Sequence, residues 1–120
     1  MNIVHHKIYG ESNPNPVYIL HGIFGMLDNW HLIANALASD YQVVTLDARN
    51  HGKSFHDNDA SYHAMVQDVV NLMSHLNHQE IVLLGHSMGG KTAMLFADMY
   101  PEKLKQLIVA DIAPKKYFPG

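Results

Sequence analysis

Short apolar runs recur along the chain and are separated by longer stretches in which apolar residues recur every three to four positions. The runs cover Val17–Leu20, Val43–Leu46, Ile81–Leu84 and Leu107–Ala110. Runs of this length that stay apolar are typical of parallel strands whose two faces are both buried. Val4–Tyr9 predicts an additional strand at the edge of the sheet, although its polar residues weaken this pattern.

The stretches between these runs have helical periodicity. Asp28 is the predicted N-cap of the first helix, Ser61 that of the second, and the third helix runs from about Gly89 to Tyr100 before Pro101. Alternating strands and helices predict an α/β fold, with a mostly parallel sheet and crossover helices on its faces. We assign the apolar residues at helical spacing to the core: Trp30, Ile33, Ala34 and Leu37 in the first helix, and Met65, Val69, Leu72, Met73 and Leu76 in the second.

Composition narrows the range of partners. The 120 residues carry a formal net charge of −3, with eight Lys and Arg scattered along the chain, which argues against nucleic acid or an anionic membrane as a partner. The chain has no cysteine, so disulfides and thiolate chemistry are excluded. The residues after Met1 lack a secretory signal, and no apolar run approaches the ~18 residues of a membrane span. We therefore expect a cytoplasmic protein.

The strongest chemical signal follows the third apolar run. The sequence GHSMGG at Gly85–Gly90 stands between a predicted strand and a predicted helix, and G-x-S-x-G in this context is typical of a nucleophile elbow. Ser87 is the predicted nucleophile, because a serine hydroxyl must be raised on a sharp turn where a base can reach it. The turn strains the backbone of Ser87, and side chains at Gly85 or Gly89 would clash. The following helix directs its positive end at the site.

Two alternatives compete for this segment. The first is that the segment is only a tight turn between strand and helix, without a catalytic role. The second is a phosphate loop, since Gly85–Thr92 also satisfies G-x-x-x-x-G-K-[ST]. Asp111, at the end of the run Leu107–Ala110, occupies the position expected of a magnesium-binding acid in such a protein. The phosphate-loop interpretation leaves the His21–Gly22 turn and the Asp47–Ser54 segment unexplained, so we favour the elbow.

An acyl hydrolase also needs two backbone N–H groups that face the developing oxyanion. We assign one to Met88, the residue after the nucleophile, and the other to Ile23 in the loop after the first strand. Phe24 is predicted to line the substrate pocket. His21 itself is interpreted as a hydrogen-bonded structural residue at a strand end.

The loop after the second apolar run is interpreted as scaffold. Asp47 and Arg49 are predicted to form a buried or half-buried ion pair that fixes this loop, and Gly52 supplies a turn. The histidines at His5–His6 and His75–His78 lack the carboxylate and third-ligand company of a metal site, so no metal is expected.

Taken together, the segments His21–Trp30, Asp47–Ser54, Gly85–Lys91 and Asp111–Pro114 resemble the α/β-hydrolase superfamily, and within it the YbfF-type esterase group related to the mitochondrial ABHD-type hydrolases. The resemblance implies hydrolysis of short or medium acyl esters, in some members of acyl thioesters such as those of coenzyme A, without a cofactor. It also implies that Asp111 is the acid of the triad, although a turn-capping role for this residue is the alternative.

The chain departs from the pattern in one respect. The triad of this fold follows the order Ser, Asp, His, whereas all ten histidines lie at or before His86 and none follows Asp111. His86 is a poor base, because neighbours on the elbow point apart. Together with a length about half the ~200–250 residues usual for the fold, this indicates the N-terminal part of a hydrolase domain, without the C-terminal strands, the lid and the catalytic histidine.

Three expectations follow for such a part. By itself the chain is inactive or nearly so. Besides its substrate, its expected binding partner is the missing C-terminal segment or another copy of the chain. The first helix and Leu107–Ala110 expose apolar surface. A non-catalytic binding module on a hydrolase scaffold stays an alternative function, and a cofactor-free haloperoxidase shares every motif named here.

Overall fold

The computed structural model describes residues 2–21, 31–51 and 53–110. The described residues form one five-stranded sheet with helices on both faces. In chain order the elements are β1 (His6–Tyr9), β2 (Pro16–Leu20), α1 (His31–Leu37), β3 (Gln42–Leu46), α2 (Tyr62–His75), β4 (Ile81–His86), α3 (Met88–Met99), a 3-10 turn (Pro101–Lys103) and β5 (Leu104–Ala110).

The strand order confirms the predicted α/β architecture. The strands lie in the order β1-β3-β2-β4-β5, β2 to β5 pair in parallel, and β1 is the antiparallel edge strand. β5 begins at Leu104, three residues before the predicted Leu107, because Leu104 and the polar Gln106 also pair with the backbone of β4, with an irregularity in the register between them. The apolar pattern could not show these residues, since backbone pairing does not depend on side-chain polarity.

The helix ends follow local signals. The Ser61 hydroxyl accepts the N–H of Ala64 at 3.1 Å, which confirms the predicted cap of α2. α3 begins at Met88, one residue earlier than predicted, and ends before the 3-10 turn that Pro101 opens. The predicted cap of α1, Asp28, lies outside the described residues.

The core consists of two apolar layers, one on each face of the sheet. Side chains of β4 alternate between them, with Ile81 and Leu83 in the layer under α2 and α3, and Val82 and Leu84 packed against the layer under α1. The larger layer contains Tyr18, Leu72 and Phe96, and also Val69 and Met73 of the predicted stripe; the smaller layer contains Val17, Ile19, Ala34 and Val43. Met65 of the stripe is buried as well.

The α1 face and the β5 edge expose apolar side chains. Ile33, predicted to be in the core, is 43% exposed, and its neighbour Leu32 is 81% exposed. The helical pattern is right for Ala34, which is buried, but the seven-residue α1 covers little of this face of the sheet. Ile108 and Val109 are 40% and 44% exposed, as expected for an edge strand.

Candidate active site

Three strands end side by side at one edge of the sheet. Leu20, the last residue of β2, pairs with Leu46 of β3 on one side and with Gly85 of β4 on the other. In open parallel sheets, ligands bind outside the carboxyl ends of the strands. The segments that follow β2, β3 and β4 are those that the sequence singles out for chemistry.

Ser87 connects β4 to α3 in a strained conformation. Its φ is 58° and its ψ is −118°. Asn50 and Asn77 also have positive φ angles, but the ψ of Ser87 lies outside the usual left-handed region. Such a conformation costs about 1–3 kcal/mol and is found mainly at functional sites. The side chain is exposed at the carboxyl edge of the sheet. A hydroxyl is thus raised out of the sheet, where an incoming substrate can reach it.

The two glycines of the motif are required by close backbone contacts. A Cβ at Gly85 would lie 2.4 Å from the carbonyl oxygen of Gly89, and a Cβ at Gly89 would lie 2.2 Å from the carbonyl oxygen of Leu20. Both distances are far below van der Waals contact, so the predicted clashes are confirmed. They show that the first turn of α3 is seated against the end of β2.

The start of α3 provides an environment for negative charge. The carbonyl of Ser87 accepts the N–H groups of Gly90 and Lys91 at 2.9 and 3.2 Å, which closes the first turn. Met88 is the first residue of α3, so its N–H has no acceptor within the helix. The partial positive charge of a helix N-terminus adds to this effect.

The same geometry argues against the phosphate-loop interpretation. Ser87 alone separates β4 from α3, which leaves no open loop to surround a phosphate. The hydroxyl of Thr92, which would have to bind magnesium, is buried and faces the Met65 sulfur at 3.7 Å and the Met88 carbonyl at 3.3 Å. Thr92 therefore joins α3 to α2.

His21 occupies a buried position at the end of β2. Its Nε2 accepts the backbone N–H of Ala48 at 3.0 Å, which confirms the hydrogen-bonded structural role predicted for this residue. Nε2 also lies 4.0 Å from the Asp47 carboxylate. Because a nitrogen that accepts an N–H carries no proton, this approach is not an ion pair through Nε2.

The sequence predicted an ion pair between Asp47 and Arg49 in the loop after β3, and this prediction is wrong about the acid. The Arg49 guanidinium binds Asp68 of α2 in a bidentate pair, Nε to Oδ2 at 2.7 Å and Nη2 to Oδ1 at 2.9 Å. The hydrogen bond with Asp68 raises the pKa of Arg49 above its ordinary value. Asp47 instead accepts the N–H of Lys53 at 3.0 Å and so closes its own loop.

Arg49 also binds the main chain farther along this loop. Its Nη1 donates to the Asp59 carbonyl at 2.7 Å, and its guanidinium lies 5.2 Å from the centre of the Phe55 ring. The loop is therefore fixed to α2 as scaffold, as predicted, although by a residue that sequence reasoning missed. One signal was available, because Asp68 is an acid on the otherwise apolar stripe of α2.

Comparison with known proteins identifies this arrangement. Residues 15–118 match the family described as alpha/beta hydrolase fold. The chain belongs to the α/β-hydrolase family. It is 45% identical over 113 residues to the sn-1-specific diacylglycerol lipase ABHD11 of Mus musculus, covering 92% of this chain and 37% of that protein. It is 35% identical over 117 residues to esterase YbfF of Escherichia coli K12, covering 98% and 46%.

A solved structure gives the same result for the fold of this α/β hydrolase. The structure named marine microorganism esterase matches with a TM-score of 0.89 and 46% identity, covering 95% of this chain and 43% of that one. The chain therefore spans less than half the length of each relative named here. The resemblance to the YbfF-type group is confirmed.

The structure describes two of the predicted site residues of this α/β hydrolase. Ser87 and Met88 adjoin each other at the mouth of α3. Ile23, Phe24 and Asp111 lie outside the described residues. Within the described part of the chain there is no group of three or more metal-ligating side chains, and no helix there is long and apolar enough to cross a membrane.

Proposed function

We propose that this chain carries the nucleophile-bearing part of a serine hydrolase that cleaves carboxylic esters through an acyl-enzyme on Ser87. The observation that carries the proposal is the exposed Ser87 in its strained turn, between β4 and the first turn of α3. The names of the relatives, an esterase and a diacylglycerol lipase, support the substrate class. Acyl thioesters, which have the same electrophilic carbonyl, are a second class of substrate.

The reaction begins when Oγ of Ser87 attacks the ester carbonyl carbon and transfers its proton to a base. The carbonyl oxygen becomes an oxyanion, which the N–H groups of Met88 and Ile23 stabilise. The bond to the leaving alcohol then breaks, the alcohol takes up the proton, and water hydrolyses the acyl-enzyme. In this proposal Phe24 lines the acyl pocket and Asp111 orients the histidine that serves as base.

No histidine of this chain follows Asp111, so in this proposal the base is a histidine that the chain does not contain. We therefore propose that the chain by itself is inactive or nearly so. Removal of the base can cost about as much as removal of the whole triad, roughly 10⁶-fold in a serine protease.

The experiment measures hydrolysis of p-nitrophenyl acetate by the chain, with and without added imidazole as a substitute base. We expect Ser87-dependent turnover to rise with imidazole and to disappear in Ser87→Ala. The variant Ser74→Ala, which alters an exposed serine on α2, is the matched control and should keep the wild-type rate. Equal rates for the wild type and Ser87→Ala at every imidazole concentration would contradict the proposal.

Covalent labelling separates this proposal from a non-catalytic binding module. A fluorophosphonate should modify Ser87 in the presence of imidazole, with the site identified by mass spectrometry. A binding module on a hydrolase scaffold would remain unmodified. Comparing acetyl esters with acetyl thioesters in the turnover assay then identifies the preferred leaving group.

A further inference from the structure

We propose that His21 is a positioning residue of this site. By accepting the Ala48 N–H, His21 fixes the end of β2. The first turn of α3, which contains the Met88 N–H, packs against that end of β2. The inference rests on the proposed esterase function and adds a residue that does not touch the substrate. Three observations carry it: a hydrogen bond, a backbone contact and a cavity.

The hydrogen bond joins the exits of two strands. His21 directly follows β2, and Ala48 lies two residues beyond the end of β3. The 3.0 Å bond from the Ala48 N–H to Nε2 requires an Nε2 without a proton. His21 therefore acts in one tautomeric form. The residue is buried, with 2% of its surface exposed.

The backbone contact transmits this position to the elbow. A Cβ placed on Gly89 would lie 2.2 Å from the Leu20 carbonyl oxygen and 2.7 Å from the His21 carbonyl oxygen. The second residue of α3 is thus in direct backbone contact with the residues that the His21 side chain holds. A shift of the end of β2 would displace the first turn of α3, which contains the Met88 N–H.

The cavity makes the hydrogen bond hard to replace. A small apolar cavity of about 20 Å³ is bordered by His21, Ala48, Met65 and Met88. This volume holds at most about one water molecule, and the cavity walls offer water few polar partners. Without the His21 acceptor, the Ala48 N–H would lose its hydrogen bond, and neither the apolar cavity wall nor water would readily supply another acceptor.

The test compares three variants in the imidazole-supported turnover assay. His21→Leu removes the acceptor. His21→Gln keeps one, because Oε1 is as many bonds from Cα as Nε2 is in histidine. Tyr18→Phe is the control, since it also removes a side-chain hydrogen bond of β2, the 2.7 Å bond to Nδ1 of His78. This bond runs from the middle residue of β2 to the segment that precedes β4, whereas the elbow follows β4.

We expect His21→Leu to lower kcat by about 10²-fold with little change in KM, as for a misplaced catalytic group. His21→Gln should recover most of kcat. Tyr18→Phe should lower the urea midpoint of unfolding but leave kcat unchanged. Nitrogen-15 NMR of the wild type should show the His21 Nε2 without a proton.

The two proposals fail in different ways. Wild-type kcat in His21→Leu, a loss of kcat in Tyr18→Phe equal to that in His21→Leu, or a protonated Nε2 would overturn the role of His21 while Ser87-dependent turnover persists. A wild-type chain without any Ser87-dependent turnover would overturn the esterase proposal itself, and the role of His21 with it.

Discussion

Ser87 holds a backbone conformation that residues with a Cβ rarely adopt, and two of its neighbours are glycine for steric reasons. Strain at a residue is retained when the surrounding structure enforces it. Here β4 and α3 enforce it from both sides. The conformation that exposes the hydroxyl therefore lowers the stability of the fold.

This strain can be measured by substitution at Ser87. Ser87→Gly should be about 1 kcal/mol more stable to urea than Ser87→Ala, because glycine tolerates positive φ, although the greater freedom of glycine in the unfolded chain offsets part of the gain. Both variants lack the hydroxyl, so the comparison isolates the backbone. Equal free energies of unfolding would show that Ser87 is not strained.

A second residue-scale effect involves Tyr18, the middle residue of β2. The Tyr18 hydroxyl bonds Nδ1 of His78 at 2.7 Å, burial lowers the pKa of His78 below its ordinary 6.5, and burial raises the pKa of Tyr18. The unfolded chain then binds a proton at His78 more readily than the folded chain. The contribution of His78 to stability is complete above about pH 6.5 and is lost as pH falls through the folded pKa.

We expect the free energy of unfolding to decrease below pH 6.5, and His78→Gln to make this decrease smaller. The exposed His63 on α2 provides the matched control, His63→Gln. Urea unfolding at several pH values measures both. If His78→Gln and the wild type lose stability in parallel, His78 does not contribute to the pH dependence.

At the scale of elements, the Arg49 and Asp68 pair connects the loop after β3 to α2. The side chains of Arg49 and Asp68 are 12% and 5% exposed, and the two bonds of the pair are short and in a fork geometry. Removing one partner of such a pair leaves the other charge poorly solvated. Replacing both partners with apolar residues is often much less costly.

Asp68→Ala should therefore destabilise the chain by about 3 kcal/mol, measured by urea unfolding. The double variant Asp68→Ala with Arg49→Met should recover part of this loss. Asp98→Ala, at an exposed acid of α3, should have little effect. Losses that simply add in the double variant would contradict coupling between Arg49 and Asp68.

At the scale of the whole molecule, α1 and the edge strand β5 are two of the places where the described part of the chain exposes apolar side chains. Leu32 and Ile33 lie on α1, and Ile108 and Val109 lie on the edge strand β5. Exposed edge strands pair readily with other chains. We expect the isolated chain to self-associate as its concentration rises.

Ile108→Lys should reduce this self-association, because a charge on an edge strand disfavours pairing with another chain. Sedimentation velocity over a range of concentrations measures the effect. Met94→Lys alters a 50% exposed residue of α3 and is the control that should leave association unchanged. An unchanged distribution for Ile108→Lys would exclude the β5 edge as the contact.

Several features of this protein were determined by the sequence itself. The period of apolar residues predicts β2, β3, β4 and the core of α2, and local rules predict the Ser61 cap and the clash at Gly85 and Gly89. These features depend on neighbours a few residues away or on backbone sterics. The tight turn around Ser87 belongs to the same group.

Only the tertiary structure decided the partners that are distant in sequence. Arg49 binds Asp68, 19 residues away, and His21 binds Ala48, 27 residues away. The burial of Ala34 beside the exposed Ile33, and the start of β5 at Leu104, depend on which elements lie next to each other in space. A sequence pattern reports which side chains avoid water, whereas packing decides which of them meet.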